Sequence, residues 1–316
     1  MDPVASSTLP YHIPALLPEA IELLNIKPEG VYIDATFGGG GHSRAIIEKL
    51  GETGHLYSFD RDMEAYQNRI DDPRFTFVHG NFRHTENFMR FYQVESVDGI
   101  LADFGVSFHH FDTPERGFSF RFDSPLDMRM NRKADKTAAA LLQEADEKSL
   151  LEIFKAYADL KNPRNIVKSI IEAEKSQPME TTFQLAEAVR PAIDPRQEKK
   201  EMAQVFQALR IAVNHEADDL SQFLIATLKV LKQGGRLVTL TYHSMEDRMV
   251  KNFMKAGNIE GIEEKDFFGR ISSPWKIITR KPMEASDEEV ERNPRARSAR
   301  LRAAEKVIEE EIRSSE

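Results

Sequence analysis

The chain contains no cysteine. Disulfides and thiolate metal sites are thereby excluded, and a reducing compartment is its natural setting. Long apolar runs are missing too: no stretch approaches the roughly eighteen residues of a membrane-spanning helix, and the N-terminus lacks a basic region followed by an apolar one. A cytoplasmic protein without membrane contact is the expectation. Basic excess is also lacking. The formal net charge of −9 argues against general adhesion to nucleic acid, although it averages over patches and leaves room for one basic face. There is no internal repeat and no low-complexity segment, and no metal site is assigned. What is present is a chain of 316 residues, 41% hydrophobic, enough for a sizeable core in two domains or in one domain with a large insertion.

The stretch from Tyr32 to Ser43, YIDATFGGGGHS, organises the rest. It reads as a buried strand ending in Asp34, a turn through Gly38, Gly39, Gly40 and Gly41, and a helix capped by Ser43. Exposed N–H groups at a helix start favour an anionic ligand group, and an acid at the strand end favours a cationic or hydrogen-bond-donating one. That combination suits a zwitterion. A dinucleotide fingerprint would need a third glycine where Ser43 stands. S-adenosylmethionine fits better, with Asp60, at the end of the run His55 to Asp60, placed to hold a ribose. A tight βα turn without a ligand is the alternative.

Beyond the glycines the alternation is regular. Strands at His55 to Asp60, Phe75 to His79 and Val97 to Asp103 interleave with helices at Ser43 to Leu50, Asp62 to Ile70 and Arg83 to Tyr92. Such βα units imply a parallel sheet with helices on both faces and ligands at its carboxyl edge. Asp34, Asp60, the segment around Asn81 and Phe82, and Asp103 all fall there; Phe82 is either a cover for an adenine ring or a core aromatic. From His109 to Asn214 the strand signal disappears and amphipathic helices follow at Leu141 to Tyr157, Asn162 to Lys175, Thr182 to Val189 and Met202 to Val213. The βα pattern then resumes, with a strand from Arg236 to Tyr242 and a final one from Trp275. The expected organisation is a Rossmann-like core over 1–108 and 215–283, an inserted helical substrate domain over 109–214, and a charged tail over 284–316. In that tail an acidic block precedes Arg292, Arg295, Arg297, Arg300 and Arg302, which reads as a solvated face or as a phosphate-binding arm.

RGFSF, PLDMRM, FQALRIAVN, GGRL, HSMEDR and NPRARSARLR are long, unusual strings. With them the chain resembles, from about His12 to the Arg302 region, the MraW family of S-adenosylmethionine-dependent small-subunit ribosomal RNA methyltransferases. The resemblance implies a class I methyltransferase fold, methylation of the N4 amine of a cytidine in the decoding region, and the small ribosomal subunit as partner; a homodimer is left open. It also implies cofactor contacts from Gly40, Gly41, His42, Asp60, Phe82 and Asp103. His110 stands where the family commonly has Gln, Ala158-Asp159-Leu160 where it has Gly-Glu-Glu, and Lys200 to Gln204 where it has His-Pro-Ala-Thr-Arg.

The chemistry follows from residue types. A sulfonium methyl is already electrophilic, so the enzyme's task is to align the amine, an effect worth up to roughly 7–11 kcal/mol. Cytosine's amine is weak because its lone pair is delocalised, and acceptors on its hydrogens restore nucleophilicity. Asp103 is the expected acceptor. His243, Ser244 and Asp247, at the end of a neighbouring strand, are expected to hold the target base; a hydrolytic His-Ser arrangement is disfavoured because neighbours on a strand end rarely form a triad. An extruded base needs stacking partners, and Phe108, Phe118, Phe120 and Phe122 are candidates, with a buried strand face through the last three as the alternative. Arg116, Arg129, Arg295 and Arg297 are candidate phosphate contacts, with internal pairs to Asp123 and Asp127 as the alternative for the arginines near them. Two rivals stay open: the same chemistry on another substrate, and a ribosome-assembly binding protein without catalysis.

Overall fold

A computed structural model describes residues 14–104, 114–131, 136–265 and 271–307. In chain order the elements are α1 (Leu17–Leu24), β1 (Val31–Asp34), α2 (Gly41–Lys49), β2 (His55–Asp60), β3 (Phe75–His79), α3 (Thr85–Phe91) and β4 (Val97–Asp103). Among the described residues five helices follow: α4 (Ala138–Glu144), α5 (Glu147–Tyr157), α6 (Pro163–Ser176), α7 (Thr182–Val189) and α8 (Glu198–Asn214). Then come α9 (Glu216–Val230), β5 (Leu231–Thr241), α10 (Ser244–Ala256), β6 (Glu264–Lys265), β7 (Ile271–Ser272), β8 (Trp275–Ile277), α11 (Asp287–Arg292) and β9 (Arg300–Lys306). The chain divides into two compact units, residues 1–105 with 219–316, and residues 106–218.

The first unit is built on a seven-stranded sheet in the order β3-β2-β1-β4-β5-β9-β8. β3 through β5 run parallel, and β9 and β8 close one edge antiparallel. This is the Rossmann-like arrangement the alternation predicts, with the order reversing beside β1. β4 is central and reads as a continuous apolar run because both its faces are covered: Ile100 packs in one cluster with Ile33, Phe59 and Leu237, while Leu101 packs in another with Tyr32, Leu56 and Val238. Each such fully buried side chain contributes roughly 1.5–3 kcal/mol.

Several expectations are corrected. Gly40, in a left-handed conformation, is the residue before α2, and Ser43 sits inside the helix with its hydroxyl turned to other work. The expected helix over Asp62 to Ile70 is a 3₁₀ turn, Met63–Asn68, started by the Asp62 carboxylate accepting from the Glu64 N–H. The segment expected as a charged tail is not one throughout: Arg300–Lys306 is β9, paired along β5 from Thr241↔Arg300 to Arg236↔Glu305. Leu301 to Ala304 are buried in succession, Leu301 and Ala303 in one core cluster and Ala304 in the other, with Arg302 buried between them, so both faces of β9 are covered.

The second unit has its own core, centred on Leu150, Phe154, Ile166, Ile170, Leu185, Val205 and Leu209. The helix expected from Leu141 to Tyr157 breaks at Ala145 because the Asp146 carboxylate accepts from the Ser149 N–H and starts α5 afresh. Thr181 and Gln184 form a reciprocal capping box at the start of α7. Phe118 is buried while Phe122 is 53% exposed, so the alternating aromatics do not share one strand face.

Candidate active site

The parallel strands bring Asp34, Asp60, Asp103 and, after β5, Tyr242 and His243 to one carboxyl edge. Asp34 lies beneath it. It is fully buried, its Oδ1 accepting from the Thr36 N–H at 3.0 Å and its Oδ2 from the Ser43 hydroxyl at 2.5 Å. Ser43 is linked in turn to the Ser58 hydroxyl at 2.8 Å. Burial pushes the Asp34 carboxyl above the usual range, opposed by His42 and the Ser43 hydrogen bond. Fully buried, Asp34 ties β1 to α2 and, through Ser43, to β2, and presents no exposed surface for the ligand contact expected of it.

Asp60 keeps that possibility. Its Oδ2 accepts from the Gly38 N–H at 2.9 Å and its Oδ1 from the Asp62 N–H at 2.8 Å, so each oxygen retains acceptor capacity. Burial raises its pKa, with those two N–H donors opposing. The glycine turn above it splits into roles. Gly38 has φ +50°, and a Cβ there would meet nothing within 4 Å, which leaves open space over the turn. Gly41 is required by packing, since a Cβ would come within 2.2 Å of Pro14. The Arg44 guanidinium donates to the Gly39 carbonyl at 2.9 Å and the Asn68 carbonyl at 2.8 Å, and Asn68 donates to the Gly38 carbonyl at 3.2 Å. Neither residue announces this in sequence, because both are ordinary surface types acting through the fold.

Asp103 is held from three sides. Its N–H donates to Thr36 Oγ1 at 2.7 Å, its carboxylate accepts a hydrogen bond from the Tyr242 hydroxyl, and His42 Nδ1 lies 3.9 Å from its Oδ2. Burial and then the Asp103 charge push the Tyr242 phenol far above its usual range, so Tyr242 is a protonated donor at any ordinary pH. His42 is 5% exposed, and its buried Nε2 has no hydrogen-bond partner among the described residues. A buried polar atom of this kind is costly unless something meets it, and it lies beside the open turn. Thr36 and Tyr242 escaped the sequence reading; the Tyr242 stretch stood out, the hydroxyl's partner did not.

The remaining candidates divide. His243 Nε2 is 2.9 Å from Glu246 Oε1, and Glu246 Oε2 accepts from the Tyr242 N–H at 3.0 Å, so Glu246 braces the β5–α10 corner that Ser244 opens. Asp247 is corrected: Arg302 donates to its Oδ1 at 2.7 Å and its Oδ2 at 3.1 Å, and Arg300 adds a contact at 3.3 Å, which joins α10 to β9. Phe82 follows β3, half-buried, and packs edge-on against Phe223 and Phe104 at 5.2 and 5.9 Å. In the second unit Phe118 is 5% exposed and packs within the core cluster. Arg129 pairs with Asp127 through two 2.8 Å bonds, and Arg116 donates to the carbonyls of Arg129 and Met130 at 2.8 and 2.9 Å. Those guanidiniums brace their own loop, the internal alternative to phosphate contact. Arg295 and Arg297 occupy the 3₁₀ turn Pro294–Ser298, with Arg297 exposed. Phe108 and His110 lie outside the described residues.

A family model described as the MraW methylase family matches residues 10–307. A protein of Phocaeicola vulgatus named ribosomal RNA small subunit methyltransferase H is 55% identical over 296 residues, covering 94% of this chain and 97% of that one. One of the same name from Porphyromonas gingivalis is 55% identical over 302 residues, with 94% and 97% covered. Another, from Bacteroides thetaiotaomicron, is 52% identical over 298 residues, with 94% and 98% covered.

Proposed function

Because the chain belongs to the MraW methylase family, we infer that it is an S-adenosylmethionine-dependent methyltransferase of small-subunit ribosomal RNA, acting on the N4 amine of a cytidine in the decoding region. The convergence of Asp60, His42 and Asp103 around an open glycine turn is the observation that carries this reading. The residues present fit the cofactor. Asp60 has acceptor capacity for ribose hydroxyls, the space over Gly38 accommodates close approach, and the unpartnered Nε2 of His42 offers a polar contact. When bound, S-adenosylmethionine supplies an electrophilic methyl.

The chain's own residues do the rest. Asp103 accepts a hydrogen bond from the target amine, keeping electron density on nitrogen, and its carboxylate takes the proton the amine loses on methylation. Tyr242 and Thr36 fix Asp103, one through its carboxylate and the other through its backbone, so that no reorganisation is needed at the moment of reaction. His243, locked against Glu246, is placed at the same edge to hold the base. The 106–218 unit carries substrate recognition, and Arg297 adds a phosphate contact from the first unit. With ribosomal subunits as substrate the protein works in the cytoplasm, in keeping with the absence, among the described residues, of any helix able to cross a membrane.

The deciding experiment supplies labelled S-adenosylmethionine and small subunits lacking the modification, then identifies the labelled nucleoside. Label in N4-methylcytidine is expected. Label in a different nucleoside moves the reading to another target, and a protein that binds cofactor without transferring label favours the assembly-factor alternative.

A further inference from the structure

Asp219 has no place in the chemistry above, yet it is a charged side chain only 4% exposed. It lies in the first turn of α9. One carboxylate oxygen accepts from Asn81 Nδ2 at 2.6 Å and the other from Arg83 Nη1 at 3.0 Å, so a single group grips both residues flanking Phe82. The gripped turn is rigid in itself. Asn81 Oδ1 accepts from the Arg83 N–H at 3.0 Å, and the Thr85 hydroxyl donates to the Phe82 carbonyl at 2.5 Å. One helical turn beyond Asp219, on the same face of α9, Phe223 supports the Phe82 ring edge-on at 5.2 Å. The Phe82 ring is half-buried, and the residue preceding Asn81 is bonded to the strand end of the ribose candidate, through the Gly80 N–H on the Asp60 carbonyl at 2.8 Å.

We propose that Asp219 is a positioning residue of the cofactor site: by clamping Asn81 and Arg83 it holds the open face of Phe82 as the wall against which the adenine of S-adenosylmethionine stacks. This rests on the cofactor reading above. A carboxylate suits the task because it accepts from an amide and a guanidinium at once, and the charge-assisted bond to Arg83 is stronger than a neutral one. Burial keeps the Asp219 carboxylate out of water, while the Arg83 side chain stays 36% exposed. Phe82 alone, on a short turn beside an open edge, would lose stacking free energy to rotamer and backbone motion; the clamp removes that motion before the ligand arrives.

The test is calorimetric binding of S-adenosylhomocysteine, thermal melting, and steady-state kinetics on small subunits for wild type and Asp219→Asn. The variant keeps the shape and loses the charge partner of Arg83. The Kd for S-adenosylhomocysteine and the KM for S-adenosylmethionine are expected to rise about tenfold, while kcat at saturating cofactor stays within about twofold. A folded variant whose Kd is that of wild type overturns the proposal and leaves Asp219 a stabilising group only. Should Asp219→Asn not fold, Asn81→Ala and Arg83→Met each cut one arm of the clamp. Each is expected to weaken S-adenosylhomocysteine about threefold, and wild-type binding in both overturns the proposal. Wild-type protein that binds no S-adenosylhomocysteine sinks the cofactor reading and this one together. Wild-type protein that binds it but methylates no subunit sinks the substrate reading alone.

Discussion

Burial raises the pKa of Asp60 although two backbone N–H groups hold its ionised form, and this sets a pH dependence for ligand binding. Only the carboxylate accepts from ribose hydroxyls with both oxygens, so affinity is present above the raised pKa and is lost as pH falls through it. S-adenosylhomocysteine affinity is therefore expected to decline on acidification starting above the usual aspartate range, and Asp60→Asn to bind weakly with a flat profile; a calorimetric pH series on both proteins checks this. Tyr242→Phe removes one hydroxyl and with it a charged hydrogen bond to Asp103. Turnover should fall about tenfold with S-adenosylhomocysteine binding retained, and in an Asp103→Asn background the same change should have no further effect. A loss that simply adds in the double variant would show that Tyr242 acts elsewhere. At this scale the site was half legible. Asp60, Gly38 and Asp103 stand out because glycine and acid at a strand end have few other reasons to coincide, and His42 came in only with the family resemblance. Thr36, Arg44, Asn68 and Asp219 do not, since their partners lie far away in the chain or on ordinary backbone carbonyls.

At the scale of elements, the join between α10 and β9 rests on Asp247 with Arg302, a buried pair made through two hydrogen bonds. Removing one partner strands the other, which costs about 3–5 kcal/mol. Asp247→Ala should lower the free energy of unfolding by that amount, read from denaturant curves, and lose activity through the fold, whereas Arg297→Ala, on the exposed 3₁₀ turn, should leave melting unchanged. If Asp247→Ala melts like wild type but does not turn over, the original reading of Asp247 as a base-holding residue is restored. The strands β2, β3 and β4 were readable to the residue because each is an apolar run closed by Asp, His or Asp. β9 was not. Its arginines read as a solvated block, and only pairing with β5 reveals that Leu301 to Ala304, Arg302 included, are buried.

For the molecule as a whole, the two units have separate cores, and the single tryptophan, Trp275, is buried in the first against Phe253 at 5.6 Å. Tryptophan fluorescence therefore follows the sheet, while far-UV circular dichroism weights the helical unit. Denaturant curves by the two probes are expected to have different midpoints, and coincident curves would show that the units unfold as one. Binding to small subunits should weaken with salt, and Arg297→Ala should lessen the slope of log K against log salt by about 0.7–0.9 if it contacts one phosphate. A net charge of −9 gives no hint of such a contact, which depends on where a few arginines are displayed. The sequence by itself determined the alternating α/β core, the helical stretch after β4 and the glycine turn with its acids, because periodicity and backbone permissiveness are local properties, and its long motif strings carried the resemblance to the family. Only the tertiary structure decided which acids are tied up as struts and which keep acceptor capacity at the sheet edge. Asp34 and Asp247 are consumed by buried partners, while Asp60 and Asp103 keep acceptor capacity at an edge, and that difference is made by residues tens of positions apart that meet only when the sheet forms.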